Sequence, residues 1–362
     1  MRIATLQFAP RLGDVQGNIE RANALLKNGK TISLDGKKLG AGIGIELLRP
    51  DILVLPELAL TGYNFPSLEE IRPYLEPAGE GPSASWARET ARRLQCKVCV
   101  GYPEIEKTSE TNETACYNSL LMLDENGELI LNYRKSFLYF TDETWAAEGN
   151  VERGFHALSF GSKQVATSFG ICMDINPYKF EAPWTKWEFA HRVLDSKSQL
   201  VVLSMAWLTT LSREELDALN GEPEMDTFNY WIQRFWPLLK KRMQHEDVDL
   251  DGNKQTILVF ANRAGEEPPV EEGKPPARYA GTSAIIAITQ RPVPGTGGEP
   301  GPRPGPGSRE EKKASETNDA AEPPLDAKIL CWDMLGAAEE GICFADTTAD
   351  PQMVFGLRKA SV

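Results

Sequence analysis

The stretch QVATSFGICMDINPYKFEAPW, residues 164–184, runs from an apolar strand pattern through small residues into a break. Val165 to Ile171 reads as a strand, and Asn176-Pro177 ends it, because proline brings no amide hydrogen to a ladder. Cys172 stands at the strand end, with Asp174 two residues on. That layout resembles a nucleophile elbow, in which an α/β sheet presents a reactive side chain just past its edge. A buried cysteine is more often inert packing. Its place beside a turn separates Cys172 from Cys96, Cys99, Cys116, Cys331 and Cys343.

Outward from this strand, short β-branched runs recur at Arg2–Phe8, Ile52–Leu55, Lys97–Gly101, Ser119–Leu123, Leu129–Tyr133, Leu200–Leu203, Thr256–Ala261 and Thr282–Ile288. Helical spacing of apolar residues is read over Val15–Leu26, Pro82–Leu94, Trp184–Leu194 and Thr227–Gln244. Strands alternating with helices predict an α/β sheet protein. Two more strand ends carry polar chemistry. In DILVLPELALTGY (51–63) a strand leads through Pro56 to Glu57, a carboxylate whose burial among apolar neighbours would raise its pKa toward the range of a general base. In LILNYRKSFLYFTDE (129–143) another strand ends at Lys135 beside Phe137, Tyr139 and Phe140, where an ammonium requires a carboxylate partner. Either residue alone is more often a solvated surface charge.

Two breaks interrupt the pattern. Residues 27–49 read as a Gly-rich surface insertion, and Gly40-Ala41-Gly42-Ile43-Gly44 within it lacks the preceding strand and following helix of a dinucleotide fingerprint. Arg291 to Pro324 is rich in Pro and Gly, then in charge, and is expected to be a disordered insertion that contributes nothing to the core. Strand character resumes at Ile329–Asp333 and Ile342–Asp346, so one domain over 1–362 is expected.

Composition narrows the partners. Among 362 residues, 41% hydrophobic and 25% charged allow a large core, and a formal charge of −13 without a basic stripe argues against nucleic acid. No basic leader and no long apolar run is present, so a cytoplasmic protein without membrane contact, its cysteines reduced, is the expectation. Asn112-Glu113-Thr114 is then a chance sequon. Three histidines, none near a matching cysteine, and the lack of paired CxxC motifs or phosphate loops predict no metal and no cofactor.

PELALTGY around Glu57, YRKSFL around Lys135 and GICMD around Cys172 together resemble, in order and spacing, the three signature blocks of the nitrilase superfamily of carbon-nitrogen hydrolases. The resemblance covers the chain outside 27–49 and 291–324. It implies a four-layer αββα sandwich, with Glu57 as general base, Lys135 as electrostatic stabiliser and Cys172 as nucleophile. The oxyanion would lie between Lys135 and the backbone N–H of Met173. A second glutamate is implied at Glu143, with Asp142 and Glu148 near enough to compete.

CMDINPYKFEAPW and KSFLYFTDETWAAEG resemble more narrowly the fungal-type branch that deamidates protein N-terminal Asn and Gln in the N-degron pathway. That implies peptide or protein substrates with a free N-terminal Asn or Gln, a thioester intermediate and release of ammonia. Asp174 is the residue expected to accept the substrate's α-ammonium, against the alternative of a turn-forming Asp. A small-molecule ω-amidase, carbamoylase or nitrilase of the same superfamily, and a non-catalytic reader of N-termini, remain alternatives. Oligomeric state stays open.

Overall fold

The computed structural model describes residues 1–30, 42–107, 114–249, 252–271, 273–292 and 325–356, with the short paired strands Ser33–Leu34 and Lys37–Lys38. The insertion expected over Arg291 to Pro324 lies outside the described residues from 293 onward. So does the central part of 27–49.

Two large sheets form the centre. The six-stranded sheet runs in the order Gly341–Asp346, Arg2–Gln7, Ile52–Val54, Lys97–Lys107, Thr114–Leu123, Leu129–Arg134. The seven-stranded sheet runs Met353–Gly356, Leu325–Met334, Ala284–Pro292, Lys254–Ala261, Leu200–Ser204, Lys163–Ile171, Phe155–Phe160. Each has a parallel core of three strands: Arg2–Gln7, Ile52–Val54 and Lys97–Lys107 in the first, and Lys163–Ile171, Leu200–Ser204 and Lys254–Ala261 in the second. Antiparallel strands flank both. The chain beyond residue 324 returns to both sheets, pairing with Ala284–Pro292 on one and Arg2–Gln7 on the other.

Alternation along each strand builds four layers. Ile3, Ile52, Val54, Cys99 and Met122 point inward and join Val165, Phe169, Ile171, Val202 and Val259 of the other sheet in one core. Their neighbours Ala4, Leu53, Leu55, Val98 and Leu121 point outward onto Ala22 and Leu26 of the helix Val15–Asn28 and onto Ala84, Ala87 and Ala91 of the helix Gly81–Leu94. Helices Glu188–Asp195 and Met225–Arg234 cover the second sheet through Phe189, Val193, Phe228 and Trp231. The fold is the αββα sandwich of nitrilase type.

Several expected boundaries move, each for a local reason. The helix read as Trp184–Leu194 is a single turn at Trp184–Lys186, then Trp187 in a left-handed conformation (φ 42°), then Glu188–Asp195. The helix read as Thr227–Gln244 is two, Met225–Arg234 and Trp236–Lys240. Pro237 has no amide to give the carbonyl of Gln233 four residues back, and the indole of Trp187 donates to that oxygen instead at 3.1 Å. Strands Phe155–Phe160 and Met353–Gly356 were missed because both lie at sheet edges with largely solvent-facing side chains. Nor is the described end of 27–49 a loose loop: Ile45–Leu48 is a helical turn whose Ile45 and Leu48 are buried in the outer core, and Lys30 pairs with Asp333.

Candidate active site

The three strand ends predicted to carry chemistry meet in one place. Glu57 follows the strand Ile52–Val54, Lys135 follows Leu129–Arg134, and Cys172 follows Lys163–Ile171. The backbone is bent sharply at two of them, Leu58 after Glu57 having φ 44° and Cys172 itself φ 40°. Such left-handed conformations are costly for residues other than glycine, and at the second of them Cys172 leaves its strand at the edge of a cavity that it lines. Lys135 is pinned by its own backbone, its N–H donating to Asn118 O and its carbonyl accepting from Gly149 N–H, both at 2.8 Å.

The Lys135 ammonium is fully buried and touches two carboxylates, Glu57 Oε1 and Asp142 Oδ2, each at 2.6 Å. Asn118 Nδ2 bridges the same pair, at 2.7 Å to Glu57 Oε1 and 3.0 Å to Asp142 Oδ1. The other oxygen of Glu57 accepts from the Ala206 amide at 2.8 Å, and Asp142 Oδ2 accepts from Tyr139 N–H at 2.9 Å. Two carboxylates against one ammonium leave the buried cluster net negative. Burial, and secondarily Asp142, push the Glu57 carboxyl above its ordinary range against the pull of Lys135. Burial alone would depress Lys135, yet Asp142 and Glu57 hold it above the usual lysine range. The Cys172 thiol is pushed well up by burial and then by Glu57, with Lys135 and the Ala206 amide acting in the opposite sense. At rest the sulfur therefore keeps its proton, next to a carboxylate made more basic than usual.

Two expected site residues lie elsewhere. Glu143 is exposed and makes no contact with Lys135; the acid that does is Asp142, one position earlier, while the exposed Glu148 accepts from the Tyr178 hydroxyl at 2.9 Å. Asp174 is completely buried and already holds four donors: the amides of Ser136 (3.0 Å), Phe137 (2.8 Å) and Ile171 (2.8 Å) and the Tyr133 hydroxyl (2.8 Å). A carboxylate so committed has no oxygen left for a substrate ammonium, and it does not line the cavity. Its bonds tie the segment after Lys135 to the turn carrying Cys172, which is a positioning role.

The cavity beside Cys172 has a volume of about 370 Å³ and is walled by Met173, Tyr63, Tyr139, Ala206, Trp207 and Tyr230, with Glu224 and Asp226 farther along the chain. Sequence reasoning missed Asn118, Ala206 and Glu224, which no strand-end pattern marks. Tyr63 is held in turn by Glu267, which accepts from the amides of Tyr63 and Asn64 and from the Tyr279 hydroxyl (2.6 Å), and is paired with the buried Arg263 (2.6 Å).

Gly101 offers a check on how tightly Glu57 is placed. A methyl group there would lie 2.7 Å from the Glu57 Cα, 2.8 Å from Leu58 N and 2.8 Å from Pro56 O, all backbone atoms that cannot swing aside. Gly101→Ala is expected to displace the glutamate turn, lowering kcat/KM by roughly 10² for a misplacement near 1 Å and Tm by a few degrees. Unchanged turnover in steady-state kinetics of this variant would show the turn to be freer than its contacts indicate.

Comparison with known proteins agrees with this architecture. A family model described as carbon-nitrogen hydrolase matches residues 2–176. A protein N-terminal amidase of Schizosaccharomyces pombe is 32% identical over 303 residues, covering 80% of this chain and 92% of that one. One of Saccharomyces cerevisiae is 29% identical over 310 residues, covering 66% of this chain and 64% of that one. A crystal structure of an N-terminal amidase with a Gln-Gly peptide superposes with a TM-score of 0.65 at 23% identity over 99% of both chains, which shows a shared fold.

Proposed function

The chain belongs to the carbon-nitrogen hydrolase family, and from that premise we infer that it is a protein N-terminal amidase, converting N-terminal Asn or Gln to Asp or Glu with release of ammonia. The observation that carries the reading is the buried Glu57–Lys135–Asp142 cluster beside Cys172, at the wall of a cavity large enough for a terminal residue. It is supported by likeness to a protein N-terminal amidase over 92% of that relative's length.

In this reading Glu57 takes the Cys172 proton as sulfur attacks the carboxamide carbon. The proton leaves as the carbon–sulfur bond forms, so the negative charge passes to the carboxamide oxygen and no free thiolate has to persist at a sulfur whose pKa burial has raised. The oxyanion lies between Lys135 and the Met173 amide. Glu57 returns the proton to the departing ammonia, leaving a thioester. It then takes a proton from water as that water attacks, and the acid and free thiol are regenerated. Cysteine supplies the covalent step and lysine the positive charge, so the residues present account for the reaction with no cofactor. No helix among the described residues is long and apolar enough to cross a membrane.

The test is mass spectrometry of short peptides that begin with Asn or Gln, with ammonia assayed in parallel. A gain of about one dalton confined to residue one, matched by stoichiometric ammonia, is the product of amide-to-acid hydrolysis. If N-acetylated peptides or small free ω-amides turn over as fast, the enzyme is a small-amide hydrolase of the same superfamily. If no ammonia appears while the peptides bind, it is a reader of N-termini.

A further inference from the structure

An N-terminal substrate brings a second charged group, the α-ammonium, and the acid expected to receive it, Asp174, is fully occupied by its own donors. Two other carboxylates line the cavity, Glu224 and Asp226. Asp226 is exposed, whereas Glu224 is 8% exposed. Glu224 sits at the N-cap of the helix Met225–Arg234, a place where a carboxylate usually takes the free amides of the first turn, yet its side chain makes no such bond. One oxygen, Oε1, accepts from the Thr227 hydroxyl at 3.0 Å; the other, Oε2, is buried and takes no well-formed hydrogen bond among the described residues, the Thr209 hydroxyl lying near enough only to pull on the carboxyl. Its backbone is fixed from both sides, the Glu224 amide donating to Thr282 Oγ1 at 3.0 Å and the Glu224 carbonyl accepting from Phe228 N–H at 3.1 Å. A buried carboxylate oxygen without a donor is costly, and burial holds this carboxyl above its ordinary range against the pull of the Thr209 and Thr227 hydroxyls. Tyr63, Trp207 and Tyr230 line the same cavity, and their faces attract a cation.

We propose that Glu224 is the acceptor for the substrate's α-ammonium and so the residue that restricts hydrolysis to chain-terminal amides. The assignment rests on the N-terminal amidase reading above. It accounts for the open oxygen, for the aromatic residues lining the same cavity and for a burial that the Thr209 and Thr227 hydroxyls offset only in part. Glu224 meets the substrate away from the reacting carbon, so its loss weakens recognition without removing the chemistry.

The experiment compares two substrates: an Asn-initiated peptide, and its twin in which hydrogen replaces the α-amine while the carboxamide stays in place. The wild type, Glu224→Gln and Asp226→Asn are each assayed for kcat/KM by ammonia release. The wild type is expected to prefer the amine by about 10² to 10³, the usual cost of leaving one partner of a buried charge pair alone. Glu224→Gln should cut kcat/KM for the amine substrate by most of that factor, leave the desamino rate within about threefold, and so collapse the preference. Asp226→Asn, which removes the exposed rival acid on the same wall, should keep most of the preference for the amine; if it instead collapses the preference, Asp226 is the acceptor and the assignment is overturned. If Glu224→Gln lowers both rates together, or keeps the wild-type preference, the assignment is overturned. If the wild type itself shows no preference for the amine, the N-terminal amidase reading has failed, whatever the variant does. Should Glu224→Gln fail to fold, the ratio is read on Glu224→Asp, whose shorter reach should lower the preference by about tenfold with the desamino rate unchanged; an unchanged preference there overturns the proposal equally.

Discussion

Cys172→Ser is expected to melt within a few degrees of the wild type and to release ammonia at least about 10⁴-fold more slowly, since loss of a covalent nucleophile costs several orders of magnitude. The hydroxyl is a near-isostere of the thiol, so the strained turn at φ 40° is kept, but an alcohol surrenders its proton far less readily to Glu57. The other cysteines are a natural control. Cys96, Cys99, Cys331 and Cys343 are fully enclosed in the two cores, and Cys116 lies in the smaller cluster with Tyr63 and Trp145. Cys96→Ser and Cys331→Ser should therefore keep near-normal turnover in the folded fraction. An intact-mass measurement during turnover should find an acyl adduct on the wild type and none on Cys172→Ser. If Cys172→Ser retained more than about a tenth of the rate, the thioester route would be wrong.

Asp142→Asn is expected to lower kcat by about 10² to 10³, the range for losing one strong electrostatic contribution to an oxyanion site, while Glu143→Gln stays near wild type. The reason lies in how Lys135 is shared. With both acids present, its ammonium is divided between Glu57 and Asp142, each at 2.6 Å, and Asp142 helps to keep the Glu57 carboxyl high. Without the Asp142 charge, Lys135 pairs with Glu57 alone. Glu57 becomes a weaker base, and the ammonium is left with a single anchor. The sign follows: removing a neighbouring negative charge lowers the Glu57 pKa, so the acid limb of the kcat/KM profile should move to lower pH even as its plateau falls. A pH–rate profile of both variants decides the matter. If Glu143→Gln proved the more damaging substitution, or if the acid limb moved upward in Asp142→Asn, the assignment of Asp142 as the second acid would fall.

Much of this arrangement is legible in the sequence. A strand must alternate or fill with apolar residues to be buried, and Pro56 marks the end of one of them, whereas Lys163–Ile171 stops at the left-handed Cys172, well before Pro177. Local sequence therefore determined most strands, the α/β class and the positions of Glu57, Lys135 and Cys172 at strand ends. What it could not determine was which polar groups meet across the sheets. Asp142 and Glu143 are adjacent in sequence and chemically alike, and only the turn Asp142–Thr144 sends one toward Lys135 and the other to solvent. Asp174, expected to receive the substrate's ammonium, and Glu224, which no pattern in the sequence marks, differ in availability for the same reason. Four donors that converge from Tyr133, Ser136, Phe137 and Ile171 consume the first, whereas the second, 50 residues farther along, is brought to the cavity by a helix packed on the seven-stranded sheet and left, among the described residues, with an open oxygen. Hydrogen-bond saturation belongs to neighbours in space. A strand's character is written in its own residues, but the availability of a carboxylate is decided by donors that arrive from elsewhere in the chain.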